Sequence, residues 1–280
     1  MAVVLALGAA LTYGLSDFVG GLASRRVSPW TVAFLSQVGG AGAVLLLALV
    51  VGGDPRGADV GWAVLAGIGN GVGTAFLYRG LSGGRMGVVA PVSGVGAALV
   101  PVVVGVASGE RPALLAWLGI AAALPAIWLV AREPAPAPGE ARTSRGTALL
   151  DGVLAGTGFG VLFAAVGQVP EESGFLPLAL NQVVGGVVVV AVALALRQAW
   201  VPREPAAALG LVCGVLGATA SGLFLLATQT GLLTLASVVT SLYPGVTVLL
   251  AAWLLRERVH GTQGVGLVLC AAAVALIAAA

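Results

Sequence analysis

Ten apolar runs, each about 20 residues long, follow one another along this chain of 280 residues with only short polar punctuation between most of them. They cover approximately residues 2–23, 29–52, 60–81, 86–107, 113–131, 148–168, 174–196, 206–229, 233–254 and 260–279. A helix rising about 1.5 Å per residue needs about 20 apolar residues to cross roughly 30 Å of hydrocarbon. Each run is therefore predicted to be a spanning helix. Charge is correspondingly scarce: Asp, Glu, Lys and Arg make up 9% of the chain, against about 25% in soluble domains. This excludes a disordered chain, a nucleic-acid binder and a secreted disulfide scaffold. A net charge of +2 implies no acidic partner. The first run has no basic stretch before it and exceeds a signal-peptide core, so it is read as a retained helix.

One connection differs from the rest. Residues 132–147 are rich in proline and charge, as a linker would be. They divide the chain into 1–131 and 148–280, with five predicted helices in each part. The two parts match collinearly at an offset of 145 to 147. Leu35-Ser36-Gln37-Val38 matches Leu180-Asn181-Gln182-Val183, and Tyr13-Gly14 matches Phe159-Gly160. Gly67 matches Gly214, Glu110-Arg111 matches Glu257-Arg258, and Gly119 matches Gly266. Because five is odd, the second part must enter the membrane from the opposite side. The predicted fold class is an all-α polytopic membrane protein of ten transmembrane helices arranged as two inverted five-helix repeats.

The arginines support this independently. All 13 basic residues are Arg. Arg25, Arg26, Arg79, Arg85, Arg132, Arg142, Arg145, Arg197, Arg203, Arg256 and Arg258 fall at the loops after helices 1, 3, 5, 7 and 9, and only Arg56 and Arg111 fall on the other face. The positive-inside rule makes the arginine-rich face cytoplasmic, with both termini outside. Trp30, Trp62, Trp128, Trp200 and Trp253 lie near predicted helix ends, as an interfacial belt would. Cys213 and Cys270 lie inside apolar runs and read as core residues. His260 lies at a helix edge without a ligand cluster, so no metal or cofactor is expected.

The residues also resemble a known family. Tyr13-Gly14-Leu15-Ser16-Asp17-Phe18-Val19 is similar to the opening signature of an EamA domain. Ala236-Ser237-Val238-Val239 through Tyr243-Pro244, followed by Arg256-Glu257-Arg258, is similar to its closing helix pair, and Gly109-Glu110-Arg111 repeats that turn in the first half. The resemblance spans essentially the whole chain, as two EamA repeats of the drug/metabolite transporter superfamily. It implies a carrier of small metabolites or drugs, often outward, with a central cavity lined mainly by helices 1, 3, 4, 6, 8 and 9. Asp17 stands where the family pattern usually has Asn. The family is generally drawn with cytoplasmic termini, opposite to the arginine count here.

Within this frame a few polar residues are candidates for substrate binding or coupling. Asp17 is the one acidic residue deep in a predicted span, roughly 7 Å from the bilayer centre. A carboxylate there is a functional candidate, as a substrate contact or a proton carrier; the alternative is a structural carboxylate satisfied by arginines or hydroxyls. Tyr13 lies one turn earlier on the same face. Asn70 and Thr74 share a face of helix 3 among Gly67, Gly69, Gly71 and Gly73, either lining a cavity or marking a tight crossing. Gln37 and Gln182 read as interhelical hydrogen-bonding amides. Pro91 and Pro101 are expected to break helix 4, and Pro244 helix 9. Paired breaks of this kind point to a transporter site. Ser93, Ser237, Thr240, Ser241 and Tyr243 lie beside them. Glu110 and Glu257 read as ion-paired or helix-capping, hence structural. Gly67-xxx-Gly71 and Gly210-xxx-Gly214 suit close helix packing, within the chain or in a dimer.

No catalytic constellation is present: there is no phosphate-binding Gly-Lys-Ser/Thr loop, and no hydroxyl has a base beside it. The expected function is secondary transport of a small organic metabolite, amino acid or drug, directed outward, across the cytoplasmic membrane of a prokaryote. Its expected partners are the lipid bilayer, the small-molecule substrate and protons as a candidate coupling ion, in a monomer or homodimer. The alternatives are a passive channel or facilitator, and, further off, a membrane-embedded enzyme or lipid scramblase. A channel would need a sustained polar stripe, and an enzyme clustered His, Asp or Glu; neither pattern is present.

Overall fold

A computed structural model describes residues 1–82, 86–130, 145–254, 256 and 259–280. Among these residues the regular structure is entirely helical. The first half comprises α1 (Ala2–Ser24), α2 (Pro29–Val51), α3 (Gly57–Ser82), α4 (Met86–Ala107) and α5 (Leu114–Val130). The second comprises α6 (Arg145–Val166), α7 (Leu176–Ala195), α8 (Leu209–Gln229), α9 (Leu233–Thr240), α10 (Tyr243–Leu254) and α11 (Gly261–Ala278). Eight segments are long and apolar enough to cross a membrane, the ninth run (Leu233–Leu254) counted as one. Two shorter apolar helices, Val92–Ala107 and Leu114–Val130, complete ten. Leucines and valines such as Leu46, Leu49, Val50, Leu118 and Val187 are exposed, a surface that suits lipid and not water.

The prolines act differently from expectation. The ninth run is broken: α9 ends at Thr240, and Ser241 and Leu242 form a turn before α10. The break thus falls just before Pro244, which has no N–H to donate and starts the new segment. Helix α4, in contrast, runs unbroken from Met86 to Ala107 through Pro91 and Pro101, so the predicted pair of broken helices reduces to one. Neighbouring helices can absorb an intramembrane proline without a break. Most of the expected 132–147 linker, with Arg132 and Arg142, lies outside the described residues, as do Arg85, Glu257 and Arg258. Its last three residues already belong to α6.

Helix pairing repeats with the halves exchanged. Helix α1 packs on α8 as α6 packs on α3, and α2 on α8 as α7 on α3. Helix α1 also packs on α9 and α10 as α6 packs on α4, while α2 meets α7 and α5 meets α11, each its own counterpart. Glycines set these crossings. A methyl group added at Gly14 would lie 2.5 Å from Val246 Cβ, and one at Gly160 2.6 Å from Val100 Cβ, the same contact in each repeat. On α3, Gly67 and Gly71 face α7, while Gly69 and Gly73 face α6. Gly210 and Gly214 seat α8 on α2, so both Gly-xxx-Gly pairs serve packing within the chain. Lipid provides no hydrophobic drive between helices, so close backbone approach must hold them together.

Loop contacts identify the two faces. Asp54 N donates to Glu172 O (2.8 Å), and Ser173 Oγ to Asp59 Oδ2 (2.7 Å). These join the α2–α3 and α6–α7 loops on the arginine-poor face. On the other face Ser28 Oγ donates to Ala199 O (2.5 Å), Trp200 packs edge-on against Phe34, and Arg79 bonds Asp151. Trp30 departs from the expected belt: it is 2% exposed and packs edge-on against Phe76. Trp62, Trp128 and Trp253 are exposed as expected.

Candidate functional site

Helical spacing brings polar residues of both repeats to one cavity. Helix α1 contributes Tyr13, Ser16 and Asp17, at spacings that share one face. Helix α3 contributes Asn70, Thr74 and Tyr78, each one turn after the last. Ser36 and Gln37 come from α2, and Phe159 and Gln182 from α6 and α7. Cys213, Gly217 and Ser221, again one turn apart, come from α8. Most of these positions lie in the half of their helices nearer the arginine-rich face. Among the described residues the lining therefore uses α1, α2, α3, α6, α7 and α8, and not the α4 and ninth-helix surfaces that the resemblance implied.

Two arrangements differ sharply within it. The first is a cluster of amides. Asn70 Nδ2 donates to Gln182 Oε1 (2.6 Å), Gln37 Oε1 (3.1 Å) and Asn181 Oδ1 (3.2 Å). Thr74 Oγ1 donates to Asn70 Oδ1 (3.2 Å). Gln37 packs against Gly185, where an added methyl would lie 2.8 Å from its Oε1, and Gln182 fills the space beside Gly40. These are equivalent contacts of the two repeats, so the matched glutamines of the sequence meet at the pseudo-twofold axis. Asn181 is 1% exposed and its Nδ2 lacks a partner among the described residues.

The second is Asp17. Its carboxylate faces the cavity, and among the described residues no hydrogen bond or ion pair reaches it. The surrounding titratable groups are the phenols of Tyr13, Tyr78 and Tyr243 and the thiol of Cys213. Tyr13 itself hydrogen-bonds Ser221 Oγ at 2.6 Å.

Towards the arginine-poor face the cavity meets aromatic rings. Tyr13 packs on Phe163 (centroids 5.7 Å apart) and Tyr243 (6.2 Å), and Phe163 on Phe224 (4.6 Å). Phe163 and Phe224 are 2% and 0% exposed. Tyr243 thus belongs to this ring cluster and not to the cavity lining; its hydroxyl neighbours Ser93 without a well-formed bond.

The remaining sequence candidates lie outside the cavity lining. Ser93, Ser237, Thr240 and Ser241 are fully buried. Ser93 donates to Ala90 O, Ser237 to Thr234 O and Thr240 to Ala6 O, while Ser241 Oγ has no partner among the described residues. Ser16, Ser36, Tyr78 and Phe159 were missed. A signal for Tyr78 exists in the four-residue steps Asn70, Thr74, Tyr78; Ser36 carries none beyond its place beside Gln37.

Glu110 caps the broken helix. Gly109, at φ 102°, takes a left-handed turn that suits glycine and aims the next side chain across the repeat boundary. The Glu110 carboxylate accepts Leu233 N (2.6 Å), Thr234 N (2.9 Å) and the Thr234 hydroxyl. It therefore satisfies the orphan donors at the start of α9, which is the capping role read from sequence. Glu110→Ala is expected to cost about 1–2 kcal/mol of stability, read as a lowered unfolding midpoint in detergent, with Glu110→Gln retaining part of the loss.

Comparison with known proteins agrees with this architecture. A solved crystal structure of a protein superposes with a TM-score of 0.67 at 17% identity, covering 96% of this chain and 98% of its own; that likeness concerns the fold. No curated protein matches the chain. The sequence pattern described as the EamA-like transporter family matches twice, at residues 1–132 and 146–279. With the pattern matched once in each five-helix half, the chain belongs to the EamA-like transporter family.

Proposed function

We propose that this integral membrane protein is a secondary active transporter that exports a small organic metabolite, amino acid or drug by alternating access. The observation that carries the reading is the cavity itself: it lies where the repeats 1–131 and 148–280 meet, draws on helices of both, and holds Asp17. Rocking of one repeat against the other would expose such a site to each face in turn. The ring cluster of Tyr13, Phe163, Phe224 and Tyr243 supports a state closed towards the arginine-poor face. By the positive-inside rule the arginine-rich face is cytoplasmic, in a prokaryotic plasma membrane. Substrate would load from there, and the rings would part to release it.

Asp17 is proposed as the proton-coupling group, since the groups around it are phenols and a thiol rather than bases. In proteoliposomes under an imposed pH gradient, saturable accumulation above equilibrium is expected; flux that only equilibrates would make the protein a facilitator. Asp17→Asn is expected to fold and to lose the dependence of transport on the pH gradient. Unchanged pH dependence and proton flux in that variant would remove Asp17 from the coupling step.

A further inference from the structure

The cavity's charge is one-sided. Asp17 supplies a carboxylate, and among the described lining residues there is neither an arginine nor a histidine. Arg79, on a lining helix, is held by Asp151 on the arginine-rich side. The neutral polar groups bond one another, Tyr13 with Ser221 and Asn70 with Gln37 and Gln182, and none of them carries a positive charge. An ionised carboxylate in such a site is stabilised by a counter-charge, and the described protein groups provide none, so a bound cation would pair with it in exchange for the proton.

Resting on the transporter reading, we infer that the cavity takes a small organic cation: a protonated amine, paired with Asp17, that carries a further hydrogen-bonding group for the Gln37–Asn70–Gln182 amides. Two features fit this ligand. Its ammonium would sit among the rings of Tyr13, Tyr78 and Phe159, whose faces attract cations. The amides on α2, α3 and α7 line the same cavity and offer donors and acceptors without charge. An anion in the same place would meet Asp17 as a like charge, and an alcohol would leave the carboxylate unpaired.

The test compares matched ligands on the purified full chain in lipid nanodiscs. One set is tyramine, its alcohol tyrosol and its carboxylate para-hydroxyphenylacetate; the other is ethanolamine, ethylene glycol and glycolate. In at least one set the amine is expected to bind about tenfold or more tightly than the alcohol, with the carboxylate weakest. Asp17→Asn is expected to erase that preference and Asp17→Glu to keep it, which a folding defect could not produce. Binding that is blind to charge, preference for the carboxylate, a preference that survives Asp17→Asn, or no binding by any of these compounds overturns the inference. The same ligands in proteoliposomes separate the two readings. Amine-selective binding without flux would leave the cation site standing and sink the carrier. Saturable, gradient-driven flux indifferent to charge would do the reverse.

Discussion

Gly158→Val is expected to abolish the folded protein. Gly158 is the point where α6 crosses α3 most closely. A methyl group there would lie 2.6 Å from both Gly69 O and Gly73 N, and one at Gly69 would lie 2.5 Å from Gly158 O. These opposing atoms are backbone, which cannot rotate aside as a side chain can. Admitting the valine requires the helices to separate, and Asn70 stands beside Gly69 on the helix that would move. Separation would undo the amide cluster along with the crossing. Overpacking of a tight core commonly costs about 1–3 kcal/mol; a backbone-to-backbone contact between two repeats has less room to relax. The expected readout is loss of the monodisperse detergent-solubilised species and of its cooperative thermal transition. Gly42→Val, where nothing lies within 4 Å, serves as the control and is expected to behave as the parent. A monodisperse Gly158→Val protein with an unchanged midpoint would show that α3 and α6 are not held this closely.

The second large effect concerns charge. Arg79 and Asp151 join α3 of the first repeat to α6 of the second, with Arg79 Nε donating to Asp151 Oδ1 at 3.0 Å. Arg79 also lies over the Phe76 ring, 4.4 Å from its centroid. Asp151 is 1% exposed and Arg79 27%, so the carboxylate depends on this partner. Arg79→Ala would leave a buried charge unpaired, at an expected cost of about 3–5 kcal/mol. Arg79→Met with Asp151→Leu removes both charges and is expected to recover most of that loss, since a buried pair often gains little over apolar packing. Urea or thermal unfolding of the single and double variants in detergent provides the measurement. A double variant as unstable as Arg79→Ala would mean that the pair itself, rather than the stranded carboxylate, sets the stability.

Both effects act where the repeats touch, and this is where legibility in the sequence ends. The helix runs were readable because hydrocarbon thickness is a local ruler, and with the broken ninth run counted as one, the helices begin and end within a few residues of their apolar runs. The repeat was readable because equivalent contacts keep equivalent residues, as Gly14 and Gly160 do. Asn70 and Thr74 were readable as a pair because four-residue spacing alone puts them on one face. That Gln182 and Asn181 would meet them, more than a hundred residues away, was not. Matched polar residues in two helices share depth, but sequence carries no rotation angle. Pro91, Pro101 and Pro244 look alike in sequence, yet only the last stands beside a break. Whether a proline breaks a membrane helix depends on what neighbours offer the freed backbone groups, and those neighbours are set by the tertiary packing.

The sequence alone therefore determined the solvent, the number of crossings, the inverted halves and the lopsided arginine faces. Each follows from local hydrophobicity or from counting charges, and neither needs knowledge of which helices touch. The tertiary structure decided which helices line the cavity, which hydroxyls are buried in packing, and that Asp17 faces a space without a counter-charge. In lipid, apolar surface drives no helix towards another. The shape of the glycine crossings decides the pairing, and shape exists only once the helices have met.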